Sequence, residues 1–239
     1  MQWLEAMWSR EGKGIPKDAP KRQGLALFIE IIAREFFELV KLNLLFLASA
    51  LPLITLPAAV FASASICRMM VEDRNVYLLR DYLEAMRAHA LRATVWGLAS
   101  GLALWICVEA ILTYGAKSHE SLIYAVPLAV SLLATGFIGL CSAHFVVLSV
   151  MSRRKALTIL KLSALATLAR PLPVLAALGF AASLWLLHVL FYPISVFMPV
   201  TINISLGLFA LSFAADKAAR MVLGGIDKNA TESAGGAFL

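Results

Sequence analysis

The longest stretch without a charged residue decides the fold. It runs from Pro171 to Ala215 and reads PLPVLAALGFAASLWLLHVLFYPISVFMPVTINISLGLFALSFAA. A single helix of these 45 residues would measure about 68 Å, roughly twice the hydrocarbon thickness of a bilayer. Pro193 and Pro199 favour a break near residues 191–199, since proline interrupts a helix. We therefore predict two membrane-crossing helices joined by a loop without charges.

Three more charge-free runs lie upstream, at residues 42–67, 93–108 and 121–152. About 20 apolar residues suffice for a helix to cross a bilayer. The 239-residue chain is 61% hydrophobic and 15% charged, against roughly 45–50% and about 25% in soluble domains. This composition excludes a soluble enzyme, a disordered chain and a secreted disulfide scaffold. We predict an all-α polytopic membrane protein with about five membrane segments, at 42–67, 93–116, 121–152, 171–190 and 197–215.

The basic residues are distributed in clusters that predict an orientation. Of the 21 Lys and Arg, seven lie in residues 1–41, five in 68–92, one in 117–120, five in 153–170 and three in 216–239. Under the positive-inside rule, the basic clusters lie on the cytoplasmic side. Residues 153–170, with five basic residues and no acidic one, are predicted to form a cytoplasmic loop. We therefore expect the C-terminus and the N-terminus to be cytoplasmic. The same scattering of the +6 net charge argues against a nucleic-acid partner, which needs a continuous basic surface.

The first apolar run contains a helix break formed by Pro52, Thr55 and Pro57. Both flanks of the run are basic, which conflicts with a single crossing, and 26 residues are too few for two full crossings. Either the segment is a re-entrant helical hairpin that turns near Pro52–Pro57, or the N-terminus lies outside despite its charge. We favour the hairpin. Its turn should be covered by other helices, because irregular backbone is costly in lipid.

Two amphipathic helices are predicted beside the membrane segments. Residues 25–41 place their charges in one arc of a helix, which is typical of a helix lying in the headgroup plane. Residues 77–92 form a second such helix that continues into the span at 93–116. Residues 1–24 read as a polar segment without a signal peptide, and residues 224–239 as a flexible tail rich in Gly, Ser and Ala. Between them we expect one membrane domain, residues 25–223.

The polar link after the first run is the candidate partner-docking face. Its charges alternate in sign on one side of the predicted helix, which suits either a cytoplasmic partner or lipid headgroups. A solvated face that only orients the helix is the alternative interpretation. The residues of this face are Arg68, Arg80, Asp81, Glu84, Arg87 and Arg92.

Four polar residues fall inside the predicted spans, where such groups are costly and suggest function. They are Glu109, His144, His188 and Asn203. They could line a solute or proton pathway. The alternative, which we favour, is that Glu109 snorkels to the outer interface and that the others form hydrogen bonds between helices.

Small residues predict close helix packing at Gly97, Gly101 and Gly139, with homo-oligomer formation as the minority alternative. The three cysteines lack a metal-ligand spacing, and the chain has no nucleotide-binding or nucleophile motif. We therefore predict neither a cofactor nor catalytic residues, and a protein that is not an enzyme.

Several short motifs in residues 11–95 resemble one family. The first is Glu11-Gly-Lys-Gly-Ile-Pro-Lys-Asp-Ala-Pro-Lys21, followed by Phe28, Glu30 and Leu39-Val-Lys-Leu-Asn-Leu-Leu45. The membrane segment adds Leu51-Pro52, Thr55 and Pro57-Ala58, and the link adds Arg68, Glu72-Asp73 and Arg80-Asp81-Tyr82. This pattern resembles the YesL-like bacterial membrane proteins. Tyr82 and His89 depart from it, since phenylalanine and asparagine are expected there.

The resemblance implies a multi-pass protein of the bacterial inner membrane, in a family without an established function or catalytic residues. Members are often encoded beside carbohydrate ABC importers. The resemblance therefore favours a non-enzymatic accessory or interaction component linked to carbohydrate uptake, with a sugar ABC importer as partner. The alternative is a small-solute or proton-coupled transporter that uses the Pro52–Pro57 break and Glu109.

Overall fold

The regular structure of this protein is helical wherever the structure describes it. The computed structural model describes the backbone of residues 23–235 and the side chains of residues 23–225, so most of the predicted polar segment 1–24 lies outside it. The helices are α1 Leu25–Arg34, α2 Phe36–Ala50, α3 Leu56–Val71, α4 Leu78–Lys117, α5 Ala125–Met151, α6 Ala156–Ala169, α7 Pro171–Leu190 and α8 Ile204–Gly235. Short 3-10 turns at Leu53–Thr55 and Leu122–Tyr124 precede α3 and α5, and a π-helical turn at Pro199–Asn203 precedes α8.

In the part of the chain that the structure describes, five helical segments are long and apolar enough to cross a membrane, as predicted. They are Leu53–Val71, Leu78–Lys117, Leu122–Met151, Pro171–Leu190 and Pro199–Gly225. Their outer surfaces carry large apolar side chains, such as Leu98, Leu122 and Leu133, which are 70%, 85% and 75% exposed. So much exposed apolar surface is typical of a chain whose surroundings are lipid. The all-α polytopic fold is confirmed.

The first apolar run folds back on itself, so its two ends meet. Arg34 is the last residue of α1, and its Nη1 lies 3.0 Å from Oδ1 of Asp73, just beyond α3. Arg34 Nη2 also donates to the carbonyl of Met70, at 3.3 Å. This geometry agrees with the predicted hairpin. We call the region formed by residues 68–80, 150–155 and 216–220 the charged end, because side chains from these segments bond to one another.

The turn of the hairpin is stabilised locally rather than by covering helices. Thr55 Oγ1 donates to the carbonyls of Ser49 and Pro52. Pro57 lies in the first turn of α3, where a helix needs no N–H donor. The expectation that other helices cover the turn is wrong, because the side chains of residues 51–54 are largely exposed.

The predicted interfacial helix 25–41 is in fact two helices that pack on the bundle. The backbone leaves helical geometry at Glu35 (φ −99°, ψ 15°). Phe28 of α1 lies against aromatic rings of α7 and α8, with centroids 5.5 Å from Phe209 and 6.0 Å from Phe180. Burial of Ile31 and of aromatic rings gives more apolar contact than one continuous surface helix would.

Two other expectations about polar segments are corrected. The basic segment 153–170 is not a loop, since α6 occupies most of it and buries Ile159, Leu162 and Ala166. The predicted tail at 224–239 does not begin at a helix end, because α8 continues to Gly235. A glycine costs an existing helix only about 1 kcal/mol, and extending a helix costs less than starting one.

The core consists of two apolar clusters that both use α3 and α8. One contains Phe61, Phe145 and Ala219, and Trp96 of α4 stacks on Phe145 with ring centroids 3.9 Å apart. The other contains Ile66 and Phe209 together with residues of α1 and α2. The helices α3 and α8 therefore form the centre of the bundle.

A fully buried asparagine of α2 holds the irregular start of α8. Asn43 Nδ2 donates to the carbonyls of Pro199 and Val200, at 3.0 and 2.6 Å. Its Oδ1 accepts from the N–H groups of Ile204 and Ser205, both at 3.0 Å. One amide thus bonds four backbone groups around a π-helical turn, which explains how that turn is tolerated inside an apolar bundle.

Candidate docking cleft at the charged end

A polar cleft with a volume of about 470 Å³ opens at the charged end. Its walls are the second half of α3, the link to α4, the first turns of α4 and the chain after α5. Six of its ten polar lining residues carry a charge. The polar residues that line it are Ser65, Arg68, Arg74, Asn75, Tyr77, Arg80, Asp81, Glu84, His89 and Arg153.

Contacts in the first turn of α4 hold two of these charged side chains in place. Asp81 Oδ2 accepts a hydrogen bond of 2.8 Å from the backbone N–H of Tyr77, which satisfies a donor at the start of the helix. Arg80 Nη2 lies 3.0 Å from Asp81 Oδ1, and its guanidinium stacks over the Tyr77 ring at 4.6 Å. Arg80 and Asp81 therefore mainly compensate each other.

Arg68 joins the cleft wall to the rest of the bundle. Its Nε lies 2.9 Å from Glu72 Oε1, and its Nη1 donates to the carbonyl of Val150 at the end of α5, at 3.0 Å. Glu72 also accepts from Arg220 Nη2 at 3.2 Å, and Arg220 Nε bonds Asp216 Oδ2 at 2.7 Å. This network of four charges connects α3, α5 and α8, so the cleft has a rigid back wall.

Glu72, Asp216 and Arg220 were not among the predicted site residues. A signal for them exists in the sequence, because Arg68–Glu72 and Asp216–Arg220 each have the i,i+4 spacing of helical ion pairs. The sequence does not indicate that the two pairs meet, since that depends on how α3 and α8 pack.

Three charged residues at the cleft and its rim are uncommitted. Glu84 and Arg153 line the cleft, and Arg87 lies one turn further along α4. All three are exposed. Within residues 23–225, none of the three side chains forms an ion pair or a hydrogen bond. These charges of both signs are available to a binding partner.

Four of the six predicted docking residues line the cleft, namely Arg68, Arg80, Asp81 and Glu84. The other two do not. Arg92 has a structural role instead: its Nη2 donates to the carbonyl of Arg154 at 2.8 Å, and its Nη1 donates to that of Ser152 at 3.4 Å. Its position one helical turn beyond the cleft brings it to the α5–α6 connection.

The polar residues predicted inside the spans do not form one site. Glu109 is exposed on the outer surface of α4. His144 is fully buried, and its Nδ1 lies 3.0 Å from the Leu140 carbonyl and 3.2 Å from Thr167 Oγ1. Its Nε2 has no partner among the described residues. No contact in this part of the chain connects Glu109 with a histidine.

His188 and Asn203 both lie near the α7–α8 connection. His188 Nδ1 is 3.0 Å from the carbonyl of Ser195, whose Oγ donates back to the His188 carbonyl at 2.7 Å. Asn203 Nδ2 donates to the Leu184 carbonyl at 3.5 Å, and its Oδ1 is unpartnered in the described residues. Asn203 therefore bonds across the α7–α8 hairpin, whereas His188 bonds the connection between the two helices.

Of the three predicted packing glycines, only Gly97 lies against another helix. A Cβ at Gly97 would be 2.6 Å from Pro57 Cγ, so α3 and α4 approach closely there. A Cβ at Gly101 or Gly139 would meet no atom within 4 Å. The packing role predicted for these two glycines is wrong within this chain, because they face lipid or a cavity.

Within residues 23–225, no group of three or more His, Cys, Asp and Glu side chains could hold a metal ion. The comparisons with known proteins add no template for the cleft. No family model matches the chain, and no curated protein or solved structure is detectably similar to it. The YesL-like resemblance stays a prediction. The cleft must therefore be interpreted from its own residues.

Proposed function

We propose that this chain is a non-enzymatic membrane protein that docks a protein partner in the cleft at the charged end. The observation that carries the proposal is the uncommitted charge of Glu84, Arg87 and Arg153 around a cavity of about 470 Å³. Charges of both signs on a fixed surface select a complementary partner and set its orientation. A catalytic role would need a nucleophile paired with a base, or a metal site. Among the described residues, Ser65 and His89 of the cleft share no hydrogen bond, and no side-chain cluster could hold a metal ion.

The rigidity of the cleft supports docking. The Arg68–Glu72–Arg220–Asp216 network holds its back wall, and the Asp81 contact fixes the start of α4. A preorganised surface binds with less loss of conformational freedom than a mobile one. A partner therefore does not need to order the cleft before it can bind.

We further propose that the charged end is cytoplasmic, that the membrane is a bacterial inner membrane, and that the partner is a subunit of a carbohydrate ABC importer. The orientation follows from the positive-inside rule. The choice of partner rests on the YesL-like resemblance alone.

A transporter that uses the Pro52–Pro57 break and Glu109 has less support. Glu109 is exposed on the outside of α4, whereas a proton or solute pathway would require it to face an internal cavity. The helix break lies at a turn with exposed side chains. Neither feature favours a pathway through the bundle.

Photocrosslinking tests the docking proposal. Benzoylphenylalanine replaces Ala88, which lines the cleft, and in a matched protein it replaces Ala90, which is exposed on the same helix outside the cleft. We expect irradiated cells to give a crosslink from position 88, but not from position 90, to an importer subunit. The crosslink should be lost in the double variant Glu84→Lys, Arg87→Glu. Equal products at both positions, or none to any importer subunit, would contradict the proposal.

A further inference from the structure

An apolar groove runs along the outer surface where α4, α5 and α6 meet. Its first part has a volume of about 460 Å³ and is lined by Leu91, Val95, Trp96 and Leu157, among others. A second part of about 210 Å³ continues toward Phe137 and shares Trp96, Ala99 and Leu160 with the first. The two parts therefore form one continuous channel, which we call the lateral groove.

The lateral groove begins beside a basic corner. Arg92 lines its first part and holds the α5–α6 connection through the carbonyls of Ser152 and Arg154. On this connection, Arg153 and Lys155 are exposed. Within residues 23–225, neither side chain forms an ion pair or a hydrogen bond. Lys155 directly precedes Ala156, which lines the groove, and Arg153 lies two residues earlier, where it lines the docking cleft.

We propose that the lateral groove binds an acyl chain of an anionic phospholipid, whose phosphate is held by Arg153 and Lys155. The walls of the groove offer apolar contacts and almost no hydrogen-bonding groups, which suits a hydrocarbon chain and not a peptide backbone. The cations at the entrance match the negative headgroup, and basic sites of this kind recognise anionic lipids. The arrangement of the groove, apolar along its length and cationic at one end, is complementary to this amphiphile.

The lipid site shares one residue, Arg153, with the docking cleft. Its groove lies further along α4, between Leu91 and Ala103, and its lining residues are not those of the cleft. The two tests stay distinguishable, because crosslinking from position 88 reports on the cleft and quenching of Trp96 reports on the groove.

The tryptophans of α4 provide the probe. Trp96 lies in the lateral groove, whereas Trp105 of the same helix is 60% exposed outside it. A Trp96-only protein has Trp3, Trp8, Trp105 and Trp185 replaced by Phe, and a Trp105-only protein is made in the same way. Each full-length protein is placed in nanodiscs of phosphatidylcholine with a minor fraction of either brominated phosphatidylglycerol or brominated phosphatidylcholine, since bromine quenches tryptophan on contact.

We expect brominated phosphatidylglycerol to quench Trp96 several-fold more strongly than brominated phosphatidylcholine does. Trp105 should be quenched equally by the two lipids. The double variant Arg153→Gln, Lys155→Gln should abolish the preference at Trp96, and Lys117→Gln, at the far end of α4, should preserve it. Equal quenching of Trp96 by both lipids would mean ordinary surrounding lipid and overturn the proposal. So would quenching by neither, as expected if a second copy covers the groove, or a preference that survives the double variant.

Discussion

The bundle is held together by different chemistry at two places around α8. At its start, the neutral side chain of Asn43 bonds four backbone groups and is completely buried. Near Arg220, the carboxylate of Glu72 pairs with three arginines, Arg68, Arg74 and Arg220, and the side chains are 19–62% exposed. Both sets of interactions connect α8 to the hairpin formed by α2 and α3, but only the second consists of ion pairs.

The difference follows from the surroundings. Deep among apolar helices, unsatisfied backbone groups are expensive, and an uncharged amide satisfies them without the cost of burying an ion. At a solvated end, ions keep part of their hydration, so a charged network costs little to assemble. We therefore expect loss of the Asn43 hydrogen bonds to lower the free energy of unfolding more than loss of the Glu72 ion pairs does.

The largest expected effect comes from Asn43→Leu. This change leaves two carbonyls and two N–H groups without the amide, so we expect the free energy of unfolding to fall by about 3 kcal/mol. Asn203→Leu is the matched control and should cost less than about 1 kcal/mol, since Asn203 makes one long hydrogen bond. Thermal unfolding in detergent can be followed by labelling of the buried thiol of Cys67. Equal losses for the two asparagines would contradict the assignment of Asn43.

The next prediction tests whether close packing of α3 against α4 adds to the stability of the bundle, beside the hydrogen bonds. In Gly97→Ala, the new Cβ would lie 2.6 Å from Pro57 Cγ, and the proline ring cannot rotate away. We expect a loss of about 2 kcal/mol in the free energy of unfolding. Gly101→Ala, where the Cβ meets open space, should be neutral or gain up to about 1 kcal/mol in helix propensity. The same thermal assay measures both, and a neutral Gly97→Ala would refute the close approach of α3 and α4.

The smallest effect is expected at the charged end. Glu72→Gln removes the charge between Arg68 and Arg220, and we expect a loss of about 1 kcal/mol, because the network is partly solvated. Added salt should shrink the difference from the wild-type chain, since it screens exposed charges. The exposed Glu38–Lys41 pair supplies the control, as Glu38→Gln should have almost no effect. A loss at Glu72 that matched the loss at Asn43, and that salt left unchanged, would remove the contrast between the two regions.

Much of the fold could be predicted because apolar length is a local property. The break at residues 191–199 and the helix that runs from Leu78 through the span both follow from runs of apolar residues and prolines. The division at Glu35 could not be predicted in this way, since the helical pattern of charges continues through it. The contacts of Phe28 with α7 and α8 favour two helices over the single surface helix that the amphipathic pattern predicts.

The candidate site was predictable only in its outline. The charges of the link and of the first turns of α4 indicated a docking face, and four of its six residues line the cleft. The pattern could not show that Arg92 bonds the α5–α6 connection, or that Glu72 bonds Arg220, because those partners are 62 and 148 residues away in the chain.

The sequence by itself determined that lipid surrounds most of the chain, that the fold is all-helical and how many long apolar helices it has. Each of these depends only on the length and polarity of a continuous segment. The tertiary structure alone decided that Asn43 meets the start of α8 and that the charges of α3 and α8 join. Those features depend on contacts between distant segments, and such contacts are fixed when the helices pack, by shape and by the need to satisfy buried polar groups.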